Sequence, residues 1–101
     1  MKKIINGKKY DTETAKFIDD FSNNLSIDDF KYFYEGLYKK RTGEFFLEFE
    51  GGALSKYSQW SGNGYCGGSG IVPLSLDEAK KWVENHLSVS DYEDVFGEVE
   101  E

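Results

Sequence analysis

The sequence predicts a single α+β domain over residues 1–101, a small antiparallel sheet packed with two helices. Three observations predict it. Asn6-Gly7 lies between the short runs Ile4-Ile5 and Lys8 to Tyr10, and is a strong two-residue hairpin turn. Phe30 to Lys39 and Glu44 to Glu50 flank Lys40-Arg41-Thr42-Gly43, a turn with glycine placed for a left-handed position. Ser75-Leu76-Asp77-Glu78 is a capping box that opens a helix.

Each element has its own warrant. The N-terminal hairpin carries lysines that discourage further edge pairing. Asp11 or Thr12 can cap a helix from there to about Ser22. Ala15, Ile18 and Phe21, with Leu25 just past its end, fall at spacings of three and four and form one apolar stripe. In the central hairpin, Tyr32, Tyr34 and Tyr38 share one parity, and Phe33 and Leu37 the other, so both sheet faces are at least partly covered. On the returning strand Phe45, Leu47 and Phe49 share a face; Glu44, Glu48 and Glu50 share the opposite one with Phe46. Residues 51–70 contain seven glycines and read as a long irregular loop. Ile71 to Leu74 is a short strand whose Pro73 suits an edge. Ala79, Trp82, Val83 and Leu87 then mark the buried face of a helix, and Tyr92, Val95 and Phe96 add an inward turn. Residues 97–101 form an acidic tail.

Composition narrows the function. The net charge is −7, so broad nucleic-acid binding lacks the positive charge it depends on, and an anionic membrane is an equally poor partner. The charge is uneven: residues 1–16 carry +3, whereas residues 77–101 hold nine acids against Lys80 and Lys81. Cys66 is the single cysteine, which precludes an internal disulfide and suits a reducing cytoplasm. No stretch approaches the ~20 apolar residues of a membrane helix. The expectation is a cytoplasmic protein.

Candidate chemistries are weak. Gly62-Asn63-Gly64-Tyr65-Cys66-Gly67 fits the spacing of a dinucleotide loop, but a strand follows it where a helix should begin. His86 and Cys66 are the only soft metal ligands, twenty residues apart with no companions. The same two residues are the only Cys–His pair available for nucleophilic catalysis, and their spacing gives it no support. No catalytic residue, metal or cofactor is expected. Binding is the remaining class. Tyr57, Trp60 and Tyr65 stand in the glycine-rich segment, where loop-borne aromatics typify contact surfaces. The competing reading, stronger for Tyr57, has them folding back onto the sheet. The strand acids Glu44, Glu48 and Glu50 and the C-terminal acids Asp91, Glu93 and Asp94 can steer a basic partner.

Four stretches carry a resemblance: INGKKYDTETA, LYKKRTGEFFLEFEGGALSKY, IVPLSLDEAKKWVENH and DYEDVFGEVEE. Together they resemble a family of small proteins carried by phages and integrative elements of Gram-positive bacteria. Small proteins of this kind include anti-CRISPR inhibitors. The resemblance implies a non-enzymatic inhibitor of a CRISPR-Cas effector such as Cas9. Its acidic, aromatic surface would mimic phosphate spacing and compete with nucleic acid for a basic channel. The rival expectation is a mobile-element accessory protein that binds another protein partner. No direct DNA binding is expected, and the supply of aromatics leaves room for a homodimer.

Overall fold

Two hairpins and a four-stranded sheet carry the strands of this chain in a computed structural model that describes residues 1–101. The strands are β1 (Lys2–Ile5), β2 (Lys8–Asp11), β3 (Lys16–Ser22), β4 (Phe33–Lys39), β5 (Phe45–Gly51), β6 (Gln59–Trp60), β7 (Tyr65–Cys66) and β8 (Gly68–Leu74). The helices are α1 (Leu76–His86) and α2 (Val89–Phe96). The main sheet is antiparallel in the order β3-β4-β5-β8. This is the α+β class that the sequence predicts.

The turn chemistry accounts for both predicted hairpins. Asn6 and Gly7 have φ of 51° and 78°, the paired positive values a type I′ turn requires. Residues 40–44 close β4 onto β5 with Gly43 at φ 94°. The pairing runs from Phe33↔Gly51 to Lys39↔Phe45.

One predicted helix is a strand. Residues from Asp11 turn sharply, with the Asp11 carboxylate accepting the Glu13 N–H at 3.0 Å, and then extend as β3. The helical spacing of Ile18 and Phe21 has a different origin. A β-bulge between Phe17 and Asp19 adds one residue to β3. Residues three apart then reach the same face, and both side chains pack against the helix-side core. Ala15 packs on the opposite face and Leu25 is exposed, so the apolar stripe does not exist as such.

The glycine-rich segment is also more regular than predicted. β8 begins at Gly68, and Gly68 and Gly70 pair with Gly51 and Phe49. A Cβ on Gly68 would lie 2.5 Å from the Tyr57 carbonyl, so this close approach needs glycine. Gly62 and Gly64 belong to the tip of the β6–β7 hairpin, not to a strand-to-helix loop.

Both helices start with capping boxes. Ser75 Oγ accepts the Glu78 N–H at 3.1 Å, and Glu78 Oε1 accepts the Ser75 N–H at 2.9 Å. Ser88 and Asp91 repeat the arrangement, so the C-terminal segment forms a second helix rather than one added turn. Ala79, Trp82 and Val83 of α1 bury against Leu37, Phe45 and Leu47, with Tyr92, Val95 and Phe96 of α2 packed alongside. Each fully buried Leu or Phe here stabilises by roughly 1.5–3 kcal/mol. On the other face, the N-terminal hairpin lays Tyr10 against Phe46 and Ile71. That hairpin covers only the end of the face carrying Tyr38 and Phe46. The other end holds Asp20, Tyr34, Gly36, Glu48, Glu50 and Ser69 on one side of the sheet, and Asp20, Glu50 and Ser69 are exposed.

Candidate binding surface

The helix side of the sheet holds the one buried glutamate, Glu35, between Phe33 and Leu37 on β4. It is 2% exposed. Trp82 Nε1 donates to Oε1 at 3.0 Å, Lys56 Nζ pairs with Oε2 at 2.8 Å, and the Tyr57 hydroxyl donates to the same oxygen. Burial opposes ionisation of Glu35, but the bonds from Lys56, Tyr57 and Trp82 outweigh it and hold the carboxyl below its ordinary range. Burial, and then the adjacent carboxylate, push the Tyr57 hydroxyl up, so it stays a donor. The Tyr57 ring stacks on Phe49 at 4.1 Å. Tyr57 is therefore folded back onto the sheet, the competing reading for this residue. His86, expected as a helix-end cation, stacks on Phe21 at 4.0 Å, and burial lowers its pKa. No buried side-chain nitrogen or oxygen lacks a partner. This cluster is closed and fastens the segment around Lys56 to β4 and α1.

The open side presents acids in the opposite condition. The molecule's ion pairs involve Asp11, Glu35 and Glu44, and none involves Asp20, Glu48 or Glu50. Tyr34 donates to Asp20 at 3.4 Å and Tyr32 donates to Glu50 at 3.3 Å. Burial first, and then Asp20, push the Tyr34 hydroxyl up to about 12. Tyr32 and Tyr38 are likewise raised by burial and neighbouring carboxylates. The tyrosines thus remain neutral and leave the negative charge uncompensated. Met1, Tyr32, Tyr34, Glu48 and Glu50 line a shallow cleft of about 420 Å³ with no Lys or Arg side chain in it.

The remaining predicted contacts lie elsewhere, so the acids do not form one surface. Glu44 is tied to Lys8 at 3.1 Å and Lys40 at 3.7 Å, and its charge is spent inside the molecule. Asp91 caps α2, and with Asp94 it lines a hollow beside Lys16 and Lys39 on the helix side. Glu93 is exposed on α2. Trp60 and Tyr65 face each other across β6–β7, 64% and 63% exposed, with ring centroids 5.3 Å apart. Cys66 is exposed beside them and donates its thiol to the Gln59 carbonyl.

Sequence reading missed Asp20 and Glu35. Asp20 was hidden by the helix prediction. Glu35 had a signal: its parity with Phe33 and Leu37 puts it on a covered face. No His, Cys, Asp and Glu side chains gather in threes to hold a metal, and no helix is long and apolar enough to cross a membrane. Comparison with family models, curated proteins and solved structures finds no match.

Proposed function

We propose that the protein is a non-enzymatic inhibitor that binds a basic, nucleic-acid-binding surface of a CRISPR-Cas effector and competes there with nucleic acid. The observation that carries the binding mode is the open half of the sheet, where Asp20, Glu48 and Glu50 have no basic partner within the chain. A cation channel built for phosphates is the complementary surface, and its attraction to unpaired carboxylates speeds encounter. The choice of effector rests on the resemblance of the four sequence stretches. Trp60 and Tyr65 supply a second, aromatic contact of the kind that anchors interfaces.

The test is a pull-down from host lysate combined with an interference assay in cells. Recovery of an effector, with interference lost, is the expected result. Recovery of a different protein with interference intact would instead favour the accessory-protein reading.

A further inference from the structure

The cleft on the open face sets a tyrosine ring beside carboxylates that make no ion pair. Gly36 on β4 stands opposite Glu48 on β5 and contributes no side chain. The Tyr34 side chain leans over the space this leaves: a Cβ on Gly36 would lie 2.9 Å from its hydroxyl and 3.5 Å from its ring carbons. Beside that ring stands Glu48, which makes no hydrogen bond or ion pair, and Glu50, held only by the Tyr32 hydroxyl. Met1 lines one wall. Its ammonium donates to Thr12 Oγ1 at 2.8 Å and makes no ion pair.

We infer that this cleft receives an arginine side chain of the protein partner, seated against Tyr34 and forked onto Glu48. The inference rests on the proposed function and specifies its partner. Guanidinium is planar, weakly hydrated and rigidly forked. It stacks on an aromatic ring while donating two bonds to one carboxylate. A lysine ammonium is a strongly hydrated point charge and gains less from the same walls. A phosphate backbone is repelled by the same carboxylates.

The experiment titrates two capped pentapeptides, acetyl-Gly-Arg-Gly-Arg-Gly-amide and its lysine counterpart, into the full chain. NMR follows the Met1 methyl, the Tyr34 ring and the backbone amides. The arginine peptide should bind about tenfold more tightly, the effect of roughly one good cation–π contact. Its shifts should centre on Met1, Tyr34 and Glu48. Tyr34→Leu should remove the preference for arginine, and Glu48→Gln should weaken both peptides, with dispersed spectra showing that each variant folds. Equal affinities, shifts centred on α2, or no binding of either peptide would overturn the inference. A parallel effector pull-down separates the two readings: if the effector is still bound, only the arginine assignment falls. Self-association abolished by Arg41→Lys, which alters the chain's single arginine, would hand the cleft to a second copy and also overturn it.

Discussion

Glu35 and Glu48 sit on neighbouring strands of one sheet, on adjacent rungs of the register, yet their carboxylates live in opposite conditions. Glu35 faces the helices and receives bonds from an ammonium, a phenol and an indole. Glu48 faces the uncovered half and receives none. The first carboxylate is consumed in joining β4, α1 and the segment around Lys56. The second has no partner within the chain. The difference is not one of residue type or strand position. It lies in which side of the sheet the rest of the chain returns to.

The comparison breaks most visibly at Glu35. Glu35→Ala strands the Trp82 N–H and the Tyr57 hydroxyl in the interior, at about 1–3 kcal/mol each, so a loss of about 3 kcal/mol is expected in chemical denaturation. Lys56 is half exposed and regains water. If Glu35→Ala keeps full stability, the closed cluster does not hold the fold.

Trp60→Ala sharpens the other side. Its side chain is exposed, so stability should stay within about 0.5 kcal/mol, while effector binding measured by calorimetry weakens by about 2 kcal/mol. A large drop in melting temperature would instead give Trp60 a role in the fold. Ser88→Ala removes the cap of α2 and should cost about 1 kcal/mol of stability without altering binding. The triple change Asp20→Asn, Glu48→Gln, Glu50→Gln should leave stability within about 0.5 kcal/mol and flatten the salt dependence of binding.

Acid should act first on the closed side. Glu35 and His86 both have pKa values depressed by the fold, Glu35 through its donors despite burial and His86 through burial. Depression means the folded state binds the proton less readily than the unfolded chain. The stabilisation is therefore complete above the ordinary value of each group and fades as pH falls below it. Denaturation free energy should start to fall below pH 6.5, from His86, and fall further below 4.5, from Glu35 together with Glu44, held by Lys8, and Glu78, held by the Ser75 cap. In His86→Gln the first decline should disappear and the second persist.

Much of the fold is legible in the sequence, because local chemistry decides it. Asn6-Gly7, the Ser75–Glu78 box and the spacing of Ala79, Trp82 and Val83 each act within a few residues. The second box, Ser88 to Asp91, follows the same rule and is readable too. β3 is not readable, because a bulge imitates helical periodicity: it brings Ile18 and Phe21 to one face across an odd interval. The candidate surface is legible only in part. The shared parity of Glu48 and Glu50 is plain along β5. The neutralisation of Glu44 by Lys8, 36 residues away, depends on where the N-terminal hairpin folds back, and no local pattern encodes that.

Carbodiimide footprinting of carboxylates, read by mass spectrometry with and without the effector, compares both faces within one molecule. In the free protein Asp20, Glu48, Glu50, Glu93 and Asp94 should all react while Glu35 stays protected. On binding, Asp20, Glu48 and Glu50 should lose reactivity and Glu93 and Asp94 should keep theirs. Protection of the α2 acids with continued labelling of Glu48 would contradict the assignment of the open face as the surface that meets the partner.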